Sequence, residues 1–291
     1  MLKVTVLLMC LTVVHGADIL AVFTIPSVSH QIVYRSLTME LNRRGHRLTV
    51  ITPNPVRNSK LKNYREIDVS FQYELWNREM VANPKDLSIV NSFPEIFIFL
   101  FSMISPEMCR SYLSHPDVRS FLQEKRKFDL LITEFGVNPC VYGFSKLSDY
   151  KHVGIYSFQT TPVVHANIGN PTAASFITDP FFPYSDSVSF LQRIRLLLFQ
   201  AFVWAAYSYT MWSQNVIAKD HFGSEIPHLV DIERNLSLLL VNSHFSLFYP
   251  RPNVPNLVEI GGPPFHLYIS EPQPLPQVML IINKTFHLQS G

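Results

Sequence analysis

The stretch Ala17 to Pro53, ADILAVFTIPSVSHQIVYRSLTMELNRRGHRLTVITP, constrains the chain more than any other. Asp18 to Ile25 is a near-continuous apolar run closed by Pro26 and Ser27, the pattern of a strand buried on both faces of a parallel sheet. Ser27 or Ser29 can cap the helix that follows. Val33, Leu37 and Leu41 fall at i, i+4 and i+8, a stripe that packs a helix onto a sheet. Arg43 and Arg44 complement the dipole in the last turn, and Gly45 is a natural stop. Arg47 to Pro53 then reads as a second strand. The unit is β-α-β, with a right-handed crossover.

The rest of the chain repeats that alternation. Glu66 to Tyr73 alternates as a third strand, Asn91 to Met108 is an apolar, aromatic helix lining a cavity, and Pro116 to Phe128 is a helix ending in the charged run Glu124 to Lys127. Phe128 to Glu134 (FDLLITE) is a further buried strand closed by an acid, Asn138 to Leu147 is helical, and Lys151 to Phe158 is another strand. Leu236 to Ser243 and Val258 to Ile260 complete the set. Strands and helices in this order specify an open, doubly wound, mostly parallel α/β sheet. Thr160 to Tyr184 breaks the pattern, with four prolines, and reads as loops over the carboxyl edge, where ligands bind in such sheets.

Leu196 to Gln214 carries no charge. Its length approaches that of a membrane span, but Gln, Ser, Tyr and Thr dilute it, so a buried or pocket-lining helix is the leading reading. A helix lying in a membrane interface is second and a span third. At the start of the chain, Lys3, the apolar run Val4 to Val14 and the small residues near Gly16 read as a secretory signal over residues 1–16. A domain over 17–262 follows, and the Gly- and Pro-rich segment after it, 263–291, reads as linker and tail.

Composition narrows the function classes. With 47% hydrophobic residues, 16% charged and a formal net charge of +2, there is a large core and no basic face for nucleic acid. Removal of the signal leaves Cys109 and Cys140, which do not make a disulfide framework and match no metal motif. Asn235 and Asn283 begin N-glycosylation sequons. Glycine-rich phosphate loops and a G-x-S-x-G elbow are missing, and the eleven histidines form no H-x-x-x-H pair.

Two titratable residues sit where a doubly wound sheet places its chemistry. His30 follows the first strand, and Glu134 ends FDLLITE. If the strands are neighbours, the side chains meet over one edge. A histidine in the first turn of a helix faces the positive dipole end, which favours neutral imidazole, the form that accepts a proton. A carboxylate behind it fixes the tautomer and pairs the imidazolium as it forms. The competing reading is a core histidine on the line of Val33, Leu37 and Leu41, with Glu134 capping the next helix.

The segments IPSVSHQIVYRSL, LNRRGHRLTVITP, KFDLLITEFGVNPC, LVNSHFSLFYPRP and PNLVEIGG carry a family likeness. In that order they resemble the N-terminal half of membrane-bound UDP-glycosyltransferases, especially insect-type members, over roughly Ala17 to Pro276. The resemblance implies a GT-B fold of two Rossmann-like domains, the first binding a small lipophilic acceptor and the second a UDP-sugar, with no further cofactor. It implies that His30 is the general base of an inverting transfer, and it puts Glu134 where vertebrate members have an aspartate partner, one methylene shorter. It further implies an endoplasmic reticulum location and pairing with full-length relatives. The donor-domain signatures of the family are not among these residues, so the chain reads as the acceptor half, inactive alone. A non-catalytic lumenal binding or regulatory partner of full-length enzymes is the alternative.

Overall fold

The computed structural model describes residues 16–81, 94–172, 177, 179, 181–182, 184, 188–244 and 251–261. Residues 1–15, which hold all but the last position of the expected signal, and residues 262–291, with the expected tail and Asn283, lie outside the described residues. Among the described residues seven strands form one sheet: β1 (Asp18–Val22), β2 (Arg47–Thr52), β3 (Tyr64–Asp68), β4 (Leu130–Glu134), β5 (His152–Tyr156), β6 (Leu238–Val241) and β7 (Leu257–Glu259). Their spatial order is β3-β2-β1-β4-β5-β6-β7, and every pairing is parallel. The doubly wound α/β architecture expected from the alternation is present.

The helices are α1 (Val28–Arg43), α2 (Gln72–Trp76), α3 (Pro94–Ser114), α4 (Pro116–Gln123), α5 (Pro162–Asn167), α6 (Phe190–Phe222) and α7 (Leu229–Arg234). β1 shows why the first run has no polar alternation. Ile19, Ala21 and Phe23 pack against Val33 and Tyr34 of α1, while Leu20 and Val22 pack on the other face with Tyr112 and Leu113 of α3. Covered on both sides, the strand needs apolar residues at every position.

Several local expectations are corrected. The third strand lies at Tyr64–Asp68, not Glu66 to Tyr73, because its pairing with β2 ends at Asp68 and the chain turns at once into α2. The helix expected over Asn138 to Leu147 is present at Pro139–Ser148, wound as a 3₁₀ helix. Helix α4 stops at Gln123, which frees Arg126 and Lys127 to pair with Asp18 and Asp149. Ser27 is the N-cap residue of α1 but makes no side-chain cap bond; its hydroxyl meets that of Ser29 at 3.0 Å. The two cysteines are joined, Cys109 of α3 to Cys140, with Cα atoms 6.3 Å apart. The long loop region also contains α5.

Candidate active site

The site sits where the sheet changes direction. From β1 the chain steps through β2 to β3 on one side, and from β4 through β5 and β6 to β7 on the other, so the crevice between the carboxyl ends of β1 and β4 is the topological switch point, the place where such sheets bind ligands. Val22 and Thr133 are partners in the β1–β4 register. Glu134 comes one residue later, and α1 starts six residues beyond Val22.

The two residues singled out in the sequence meet there. His30 Nδ1 lies 2.8 Å from Glu134 Oε1. An ionised carboxylate only accepts hydrogen bonds, so Nδ1 carries the proton and Nε2 is left as an acceptor. The side chains differ sharply in exposure, 20% for His30 against 1% for Glu134. The imidazole reaches the cavity; the carboxylate stays behind it. Val33, Leu37 and Leu41 still form a core stripe, and His30, one turn ahead of Val33, lines the cavity at its end.

Glu134 has two further sets of donors. Its Oε2 accepts the backbone N–H of Thr24 at 3.3 Å and of Ile25 at 3.1 Å. Its Oε1 also accepts the Tyr34 hydroxyl at 2.8 Å. These bonds tie the β1–α1 loop, α1 and β4 together, so Glu134 holds the loop before α1 rather than capping the segment after β4. The loop is braced further. Gln31 donates to the Ile25 carbonyl at 3.0 Å, and Asn138 donates to the Thr24 hydroxyl at 2.9 Å. Burial, followed by the Glu134 charge, pushes the Tyr34 phenol well above its ordinary range. It keeps its proton and donates a hydrogen bond to the carboxylate.

His30 opens into a cavity of about 360 Å³. Its walls include Trp76, Ile98 and Phe101 on one side and Val203 and Tyr207 of α6 on another. The expectation of a cavity-lining helix before Met108 is met by α3, and Leu196 to Gln214 lies within α6, whose inner face walls the same cavity. Phe158, just past β5, stands edge-on to His30 with ring centroids 5.5 Å apart. Gly136 has φ +74°, and a Cβ there would lie 2.7 Å from the Tyr156 ring, so only glycine fits between Glu134 and this wall. The lining is largely apolar, with the imidazole as its reactive group. Among the described residues no cluster of His, Cys, Asp and Glu could hold a metal.

Sequence reasoning missed Tyr34 and Phe158. The signal for Tyr34 was its place four residues after His30, the spacing that puts two side chains on one helix face. Phe158 had no comparable signal, because its contact with His30 depends on how β5 sits relative to β1.

The family of UDP-glucoronosyl and UDP-glucosyl transferases matches residues 19–284. The chain belongs to that family. Within it, UDP-glucosyltransferase 2 of Dactylopius coccus is 31% identical over 264 residues, covering 90% of this chain and 50% of the relative. An ecdysteroid UDP-glucosyltransferase of Lymantria dispar multicapsid nuclear polyhedrosis virus is 26% identical over 286 residues, covering 94% and 54% respectively. The solved structure of Arabidopsis thaliana UGT89C1 complexed with UDP-L-rhamnose aligns at 12% identity and a TM-score of 0.34, over 80% of this chain and 43% of that one. The chain spans about half the length of the curated relatives it matches.

Proposed function

We propose that this chain is the acceptor-binding and acceptor-activating half of a UDP-glycosyltransferase that transfers a hexose or glucuronic acid to hydroxyl groups of small lipophilic molecules. One observation carries the reading: an imidazole pinned through Nδ1 by a buried carboxylate presents Nε2 to an apolar cavity. Family membership supplies the donor class. The name of the viral relative, an ecdysteroid UDP-glucosyltransferase, supports a steroid as one candidate acceptor. The disulfide supports passage through an oxidising compartment such as the endoplasmic reticulum lumen.

In this reaction Nε2 of His30 accepts the hydroxyl proton as the acceptor oxygen attacks the anomeric carbon of the UDP-sugar. A carbon–oxygen bond forms, the bond to the β-phosphate oxygen breaks, and UDP leaves with the electron pair. Attack from the face opposite UDP inverts the anomeric centre. The Glu134 carboxylate pairs the imidazolium. General-base help of this kind is worth roughly 10²–10⁴-fold in rate.

The test has two arms. Titration of the purified chain with a naphthol, followed by fluorescence of Trp76 in the cavity wall, is expected to saturate; no saturable binding overturns the acceptor assignment. Transfer from UDP-glucose to the same naphthol, in the protein that carries these residues, is expected to fall by about 10²-fold or more in His30→Ala. Undiminished turnover in that variant overturns the general-base role.

A further inference from the structure

We infer that Tyr34 is a positioning residue that tunes the strength of His30 as a base, acting through the carboxylate oxygen the two side chains share. The inference rests on the acceptor-activating reading of the His30–Glu134 pair and adds to it a third member.

The geometry is specific. Helix α1 sets Tyr34 one turn beyond His30, with the rings edge-on at 6.4 Å between centroids. The Tyr34 ring is stacked on Phe23 at 4.5 Å and is 1% exposed, so its hydroxyl has one position. That hydroxyl donates to Glu134 Oε1 at 2.8 Å, the distance at which the same oxygen receives His30 Nδ1. A carboxylate offers about four acceptor positions. Here four donors occupy them: two backbone N–H groups on Oε2, and the imidazole and phenol on Oε1.

Two consequences follow. Glutamate carries one more rotatable bond than aspartate, and four donors hold the longer side chain in a single orientation. The phenol also draws charge from the oxygen that faces the imidazole. When His30 takes the acceptor's proton, the imidazolium is stabilised by the charge left on Oε1. Tyr34 therefore weakens the base and makes it release its proton more readily.

The titratable groups near the pair are Tyr34 from α1, Tyr112 from α3 and Tyr156 from β5, each of which feels the Glu134 charge. The described bonds join Tyr34 alone of these to the carboxylate. Arg35, the next residue on α1, turns away to the Asn54 carbonyl at 2.6 Å. No described cation pairs with Glu134 to set its charge instead.

The experiment is an NMR titration of the imidazole nitrogens of His30 in the ¹⁵N-histidine-labelled chain, wild type against Tyr34→Phe. That substitution keeps the ring and its stack on Phe23. Proton binding by His30 is expected to strengthen about tenfold, the weight of one hydrogen bond to a charged group, while naphthol affinity stays within about twofold because Tyr34 is not part of the cavity wall. The acid limb of the transfer rate is expected to move to higher pH in step. A purely structural role would lower the melting temperature and leave the titration midpoint in place, and that result overturns the inference. A moved midpoint, with no transfer by the protein that carries these residues together with a donor domain, would uphold the Tyr34 assignment and sink the glycosyltransfer reading; transfer by that protein with an unmoved midpoint would do the reverse.

Discussion

At the scale of single residues, the site is a problem of satisfying one buried carboxylate. Glu134 is 1% exposed and answers donors from three parts of the chain. Truncation in Glu134→Ala leaves two backbone N–H groups and a phenol without their acceptor in the interior, a loss expected to cost about 3 kcal/mol or more of stability. Glu134→Gln keeps an acceptor oxygen, so it should cost distinctly less while still reducing transfer, because the neutral amide cannot pair the imidazolium. Urea unfolding of both variants checks the order; equal stabilities would show that the four bonds do little to hold the loop.

At the scale of elements, α3 and α6 have two faces with different tasks. Their inner faces wall the cavity beside His30. The outer face of α6 exposes Leu197, Leu198, Trp204 and Trp212, the last at 65%, in a run without charge. Phe99 and Met103 are exposed on α3 beside it, and α3 is the one described helix long and apolar enough to cross a membrane, although a core helix meets the same criterion. Apolar residues with Trp at the margins suit the headgroup region of a bilayer. Co-sedimentation with phosphatidylcholine vesicles is expected for the chain and lost in the Leu198→Glu, Trp212→Glu double variant; equal sedimentation of the two would remove α6 as the contact. The disulfide between α3 and the 3₁₀ segment closes a loop of 31 residues. Its removal in Cys109→Ser is expected to lower stability by about 3–4 kcal/mol through the larger entropy of the unfolded chain, read from the denaturant midpoint.

At the scale of the whole molecule, buried titratable groups set the pH dependence of the fold. Burial pushes Glu233 up to about 7 from an ordinary 4.5. Between those values the folded state binds the extra proton, so stability falls as pH rises. Burial also takes Asp179 up to about 6, with the same sign. His152 and His165 run the other way: burial lowers both to about 3 from an ordinary 6.5. The unfolded chain binds the extra protons in that window, and stability rises with pH. From about pH 4.5 to 6 the two acids offset the two histidines. Relative to Glu233→Gln, the wild-type chain is expected to lose about 1.4 kcal/mol per pH unit between 4.5 and 7 and then level off. Thermal melts of both proteins across that range measure it; parallel curves would show that Glu233 is not the group responsible.

What could be read in the linear chain is what depends on neighbours in sequence. The apolar run of β1, the stripe of α1 and the acid closing β4 each follow from local periodicity, and together they specify a parallel α/β sheet with His30 and Glu134 at strand ends. The family segments added roles to those two residues. Tertiary structure decided the rest. That β1 and β4 lie side by side is a matter of strand order, which alternating strands and helices leave open, and it alone brings an imidazole within 2.8 Å of a carboxylate more than a hundred positions away. Tyr34 became part of the site only because that carboxylate arrived beneath it, and Phe158 only because β5 packs next to β4. Cys109 and Cys140 became partners because α3 packs over the segment that follows β4. Local pattern names the candidates, but side chains meet through the global minimum of packing, and no window of sequence contains that.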